Sequence, residues 1–479
     1  MDSAKIGKIK EKFTEKLSNL LNKPIRKLNK EAIKKYEDYY YKECAKSKEM
    51  VDKAKGIIVG GVQHNLALNY PFPIAVDRVD GAYMWDVDGH EYIDLLQAGG
   101  PTVLGSNYKA VKDKVIELIE HTGPVTGLFN EYEYKLASLI QKHMPSIETF
   151  RMLGSGTESV MGALRIARSH TGHKYIIKNC HGYHGWSDQM VYDIRFPGTK
   201  NSYATGIPEE SYKYTQAILL NDVDALEALM KENDTKGGTA AIIVEPFGPE
   251  SGTRQIQDGY NQELRKLCDK YGAVLIFDEV VTGFRTGLGG AQGYYGIKPD
   301  ITIFGKAITG GYPAAGGIGG SKEVMSCLTP GLGNKVNKVM VGGTLAANPL
   351  SCVAGYYAIK EIEENDACVK AGLAGDKLTI GLQQIFDRYD LPFVAYNQGS
   401  IIHFDATGHL YLSYGEDNYE QMHELNHARH TQLNELGMAL MAEGLVTIAA
   451  HRGYTSMADT DEVIDEALVR FENICKNYE

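Results

Sequence analysis

Apolar and polar positions change their period several times along the chain. Through 5–55, scattered apolar residues recur at helical spacing in a strongly polar background, which predicts two or so polar helices broken near Pro24. From 74 to 95 the two kinds of residue alternate around Asp80-Gly81 and Asp88-Gly89, the signature of a small antiparallel meander with tight turns. From about 107 helical periodicity alternates with short apolar runs. The candidate buried strands are 175–178, 240–244, 273–277, 301–304 and 314–318, with helices such as 158–169 and 258–270 between them. Alternating strands and helices imply a mostly parallel sheet covered on both faces, hence an α/β fold. After about 346 the chain turns mostly helical (349–364, 368–388, 419–444 and 460–477), with strand-like pieces near 392–404. The expected organisation is a helical extension (1–55), the first part of a small domain (56–106), a large domain (107–345) and the rest of a small α+β domain (346–479).

A length of 479 residues suits two substantial domains. The net charge of -11 argues against a general nucleic-acid binder, which needs a basic face. That total hides an asymmetry: residues 1–55 carry 16 Lys or Arg against 9 acidic residues. A solvated helical face is the expected meaning of this basic leader, ahead of an acidic partner. No apolar run reaches 18 residues, so neither a membrane span nor a secretory signal is expected. The seven cysteines show no paired spacing, which points to a reducing compartment, the cytoplasm, rather than a disulfide framework.

In open parallel sheets ligands sit beyond the carboxyl ends of the strands, so the residues just after each strand carry the chemistry. Gly154-Ser155-Gly156-Thr157 opens a helix and offers backbone N–H groups to a phosphate, although a plain helix cap explains it equally well in isolation. It is no dinucleotide fingerprint, because Ser159 stands where the third glycine belongs. Lys306 ends an apolar strand and precedes a glycine turn, so desolvation would favour its neutral, nucleophilic amine. Asp278 is either a helix cap or the acceptor of a protonated pyridine nitrogen. Tyr183 is either core or a stacker on a flat ring. Cys180, His181 and His184 form no complete tetrahedral set, so no metal is expected. Glu245-Pro246 closes the strand 240–244. Singly each group has a bland explanation; a cradle, a stacker, a carboxylate and a lysine at the ends of one sheet do not.

Taken in order, Gly154-Ser-Gly-Thr-Glu, Tyr183-His-Gly, Val244-Glu-Pro, Asp278-Glu-Val-Val-Thr-Gly-Phe-Arg, Gly305-Lys306 and Gly343-Thr344-Leu-Ala-Ala-Asn-Pro resemble class III pyridoxal-phosphate aminotransferases. The nearest branch looks like glutamate-1-semialdehyde 2,1-aminomutase, and the likeness runs from about Gly60 to the C-terminus. It implies a fold-type I architecture and a homodimer with shared active sites. It also implies pyridoxal 5'-phosphate, with Lys306 as the Schiff-base lysine, Asp278 as the pyridinium partner, and Tyr183 and Val280 on the two ring faces. Ser155, Gly156 and Thr157 resemble the phosphate cradle, Glu245 belongs to the cofactor-side set, and Thr344 looks like the phosphate ligand donated by the other subunit.

Three departures from the aminomutase branch bear on the substrate. Ala67 stands where that branch has the arginine that binds the substrate carboxylate. Ala98-Gly99-Gly100-Pro101 replaces Ser-Trp-Gly-Pro, and Glu250 replaces an asparagine. Glu250 resembles the glutamate of ω-aminotransferases that pairs with an arginine, for which Arg452 is a candidate. The expectation is therefore an aminotransferase that moves an amino group from a β- or ω-amino substrate to a 2-oxo acid such as 2-oxoglutarate. A 3-aminoacyl-CoA such as 3-aminobutyryl-CoA is one candidate donor. The alternatives are an aminomutase or an amino-acid racemase and, from another class, a dinucleotide-binding oxidoreductase.

Overall fold

The computed structural model describes residues 13, 15–125, 127–194, 202, 204–328, 339–412 and 418–479. The chain forms two compact units, one made of 1–108, 369–412 and 419–479, the other of 109–368 with 413–418. The change of unit after Cys368 puts the helix Pro349–Glu364 with the larger sheet, beyond the expected boundary at 345.

The 109–368 unit is built on a seven-stranded sheet. Its order is Thr149–Leu153, Gly316–Gly320, Ile301–Gly305, Val274–Asp278, Thr239–Val244, Tyr175–Asn179, Thr215–Ile218. The five strands from Ile301–Gly305 to Thr215–Ile218 run parallel, whereas Gly316–Gly320 is antiparallel to both its neighbours. The central strands are buried on both sides, because successive side chains point to opposite faces. Ala241 and Ile243 join one apolar cluster with the helix Gly156–Thr171, and Ile242 and Val244 join another with the helix Tyr260–Tyr271. The strand Gly316–Gly320 is almost all glycine for a steric reason. A Cβ at Gly316 would lie 2.4 Å from the Ser155 carbonyl oxygen, and one at Gly317 would lie 2.6 Å from the Phe150 ring.

The other unit has one sheet of Val76–Asp80, Tyr83–Asp86, Glu91–Asp94 and Leu445–Val446, and another of Val394–Gln398, Ile401–Asp405 and Arg452–Tyr454. The first three strands are the expected meander. The leader departs from its expected solvated role. Residues 1–12 lie outside the described residues, but beyond them the helices Lys30–Glu43 and Ala45–Lys55 bury Ala32, Tyr36, Tyr40 and Val51. Tyr36 and Tyr40 belong to the same apolar cluster as Leu378, Leu433 and Phe471. Tyr40 also accepts a 2.9 Å bond from Asn69 Nδ2. Among the described residues, no helix is long and apolar enough to cross a membrane.

Candidate active site at the strand ends

The helix Gly156–Thr171 starts directly after the strand Thr149–Leu153, and Ser155 is its N-cap. Ser155 Oγ accepts from Glu158 N at 3.2 Å, and Glu158 Oε2 accepts from Gly154 N at 2.8 Å. The helix-cap reading of this segment is seen directly. The side chains cap the start, and the amides of Gly156 and Thr157 still lack partners within the helix because they belong to its first turn.

Asp278 ends its strand and is buried. One carboxylate oxygen accepts from His184 Nδ1 at 2.8 Å and the other from Val280 N at 3.1 Å. His184 is fully buried, and burial pulls its pKa below the usual histidine range against the pull of Asp278. A neutral imidazole that bonds a carboxylate through Nδ1 carries its proton there, so Nε2 is the bare nitrogen. That Nε2 is buried without a partner. The sequence reading placed His184 in the Tyr183-His-Gly motif and weighed it as a metal candidate, but gave it no role beside Asp278. Tyr183 is 51% exposed, and burial of its inner part together with Asp278 raises its hydroxyl pKa.

Lys306 follows the strand Ile301–Gly305 and is half-buried with φ 46. A lysine held in the left-handed region stores about 1–3 kcal/mol of strain, and such residues cluster at functional sites. Four glycines draw these segments together. A Cβ on Gly156 would lie 2.9 Å from Val280 Cγ2, and one on Gly305 would lie 2.8 Å from Val280 Cγ1. A Cβ on Gly185 would lie 2.4 Å from Thr157 Oγ1, and the Gly316 contact with Ser155 completes the set. Cradle, loop 183–185, Val280 and the base of Lys306 thus form one compact group within one unit. The groups present suit a phosphorylated pyridine aldehyde: helix-start amides, a valine and a tyrosine, a buried carboxylate and an amine.

Beneath this group lies Lys178, fully buried, with Nζ donating to the carbonyls of Met190 at 3.3 Å and Tyr192 at 3.0 Å. Desolvation lowers its pKa to about 8. Cys180 Sγ donates to Asp193 Oδ2 at 3.1 Å. Glu245, buried at the end of its strand, receives backbone N–H groups from Tyr183, Glu250 and Ser251. Thr344 is exposed, and its neighbour Gly343 lies beside Glu158 Oε2 of the same chain. Arg452 opens a strand of the other unit, whereas Glu250 lies in the turn Pro249–Gly252 of this one. Ala67 is exposed in the short helix Asn65–Ala67. Gly99, at the position of the branch's tryptophan, is buried and left-handed, with φ 84. Among the described residues, one Cys/His/carboxylate group has ligand spacing, Cys44, Asp86 and His90. Its Asp86 already binds His90 Nδ1 and Tyr92 Oη.

Fold and site together define a pyridoxal-phosphate enzyme with fold-type I architecture. The sequence model of the family described as aminotransferase class-III matches residues 66–474. The chain belongs to that family. It is 38% identical to glutamate-1-semialdehyde 2,1-aminomutase 1 of Lachnoclostridium phytofermentans over 364 residues, 74% of this chain and 83% of that protein. It is equally 38% identical to the aminomutase of Acetivibrio thermocellus, over 71% of this chain and 79% of that one. Among solved structures, an omega-transaminase from Sphaerobacter thermophilus superposes with TM-score 0.81 and 27% identity over 92% of this chain and 99% of its own. The reaction is accordingly of the transamination or aminomutase type on pyridoxal phosphate. The relatives back the aminomutase alternative better than the expected transfer from a β- or ω-amino donor, and they carry nothing specific to a 3-aminoacyl-CoA.

Proposed function

We propose that the enzyme moves an amino group from a β- or ω-amino substrate to a separate 2-oxo acid such as 2-oxoglutarate, as a homodimer in the cytoplasm. The observation that carries this over an internal amine shift is Ala67, an exposed methyl at the position where the aminomutase branch has its carboxylate-binding arginine. Losing one charged anchor favours a donor whose carboxylate is distant, masked or absent. Glu250 and Arg452 would then serve the substrate side.

When bound, pyridoxal phosphate supplies an electron sink beside the substrate nitrogen. In this reading the amides of Ser155, Gly156 and Thr157 hold its phosphate, joined by Thr344 of a second copy of the chain. Tyr183 and Val280 confine the ring between them. Asp278 would pair with the protonated ring nitrogen while accepting a hydrogen bond from His184 Nδ1 at 2.8 Å. Lys306 would hold the cofactor through Nζ, and its free amine would be the group that carries a proton at the reacting carbon.

The aminomutase reading has its own specific support in the 38% identity over 364 residues. Oxo-acid dependence separates the two. Purified holoenzyme is offered glutamate-1-semialdehyde, 3-aminobutyrate, β-alanine and 3-aminobutyryl-CoA, each with and without 2-oxoglutarate or pyruvate. Turnover that requires an oxo acid is the expected result; conversion of glutamate-1-semialdehyde without one establishes the aminomutase.

A further inference from the structure

Glu245 does more than end a strand. Its Oε1 accepts from Tyr183 N at 3.0 Å and from Glu250 N at 2.9 Å, while Oε2 accepts from Ser251 N at 2.6 Å and Ser251 Oγ at 3.5 Å. Glu250 and Ser251 are both left-handed, with φ 53 and 58, and Gly248 before them has φ 107. Consecutive N–H groups in such a turn converge on one concavity that binds an anion. Here the anion is a side chain of the same chain, and a single oxygen is shared by the turn of Glu250 and the loop of Tyr183.

We propose that Glu245 is a positioning residue that ties the ring-facing Tyr183 and the substrate-facing Glu250 to one carboxylate, so that the two move and lock together. The proposal rests on the placement of Tyr183 and Glu250 in the reading above. Without this clamp the turn has no reason to hold two successive non-glycine residues in the left-handed region, where each is strained. The titratable groups facing Glu245 are Asp278, from the strand Val274–Asp278, and Lys178, from the strand Tyr175–Asn179. His184 stands behind Asp278. Burial, and then Asp278, raise the Glu245 carboxyl to about 7. The clamp therefore weakens as pH falls through neutrality, when one oxygen becomes a hydroxyl and loses acceptor capacity.

The test is amide hydrogen exchange on the full chain without cofactor, followed by visible circular dichroism of the chain loaded with pyridoxal phosphate. In Glu245→Gln the amide has one acceptor oxygen and one donor nitrogen, so it cannot satisfy all three N–H groups. Peptides covering 181–184 and 248–253 should then exchange at least tenfold faster together, while the helix Gly156–Thr171 stays protected. In the wild type the same two peptides should lose protection together between pH 8 and pH 6, after correction for intrinsic rates, and Glu245→Gln should abolish that pH step. The dichroism of the bound cofactor should fall in the variant as Tyr183 loosens. Exchange that changes in only one peptide, or in neither, overturns the proposal. If Glu245→Gln does not fold, Glu245→Asp, which keeps the charge but shortens the reach, is read the same way. The exchange result needs no substrate, so an error in the proposed reaction leaves it standing, and its failure leaves the reaction untouched.

Discussion

Gly156 offers the sharpest test of how the site is assembled, because one added methyl has one obstacle. In Gly156→Ala the new Cβ would lie 2.9 Å from Val280 Cγ2 and 3.4 Å from Cγ1, against about 3.5–4.0 Å for a relaxed carbon contact. The backbone itself permits the change, since Gly156 is not left-handed and lies in the first turn of a helix. The penalty is therefore overpacking alone, about 1–3 kcal/mol. If it falls wholly on cofactor affinity, it amounts to roughly 5- to 150-fold in the dissociation constant. In Val280→Ala the nearest atom left on residue 280 is Cβ, 3.8 Å away, an ordinary contact. The double variant should recover most of what Gly156→Ala loses, a coupling that a double-mutant cycle isolates. Pyridoxal phosphate titration by visible absorbance and urea unfolding of the cofactor-free chain measure the two contributions. An equal penalty in both backgrounds, or one below about 0.5 kcal/mol in the wild type, would refute the reasoning that glycine is required here to admit Val280.

Other changes probe different parts of the molecule. His184→Phe removes the Nδ1–H from Asp278 while keeping a ring; leaving that buried carboxylate short of a donor costs about 1–3 kcal/mol, so if that cost falls on cofactor binding the affinity should drop roughly 5- to 150-fold in the same titration. Lys178, with its pKa lowered to about 8, binds fewer protons folded than unfolded between pH 8 and its ordinary 10.5. Stability should therefore rise with pH across that window, and the rise in melting temperature should flatten in Lys178→Met. Tyr40→Ala empties a fully buried site in the leader and should cost about 3–5 kcal/mol in denaturant unfolding. A loss below about 1 kcal/mol there would mean that the leader is not part of the core.

The elements that were legible in the sequence are those whose burial is two-sided. The strands Thr239–Val244, Val274–Asp278 and Ile301–Gly305 are apolar runs because both faces are covered. Thr149–Leu153 and Thr215–Ile218 escaped because they are sheet edges and partly exposed. Gly316–Gly320 was expected two residues early, since glycines chosen for lack of a side chain leave almost no hydrophobic signal. The leader misled for the opposite reason. Its buried residues include Tyr36 and Tyr40, which a polar helix can carry on either face, and only their partners far along the chain decide which. The pairing of His184 with Asp278 spans 94 residues, a contact that no local pattern encodes.

The same distinction separates what family membership carries from what it does not. Lys306, Asp278, Val280 and the Ser155–Thr157 cradle sit at strand and helix ends of one unit, and their spacing is enforced by glycines that tolerate no side chain. A chain that keeps that framework keeps the cofactor chemistry, so relatives at 38% identity inform the reaction class strongly. In the proposed transfer, substrate choice rests on other positions. Glu250 lies in a strained turn held by Glu245, while Ala67 and Arg452 belong to the other unit. None of these three is needed to build the helix start at Ser155, so each is free to change while the framework stays fixed, and in the proposed reading the alanine at position 67 is the change that bears on the substrate. Restoring that charge is therefore the informative reversal. Ala67→Arg should leave cofactor binding unchanged and, if this position selects the substrate, lower KM for a donor with a free carboxylate by tenfold or more, about 1.4 kcal/mol. An unchanged KM across the donor panel would remove Ala67 from the argument for intermolecular transfer and leave the aminomutase as the better reading.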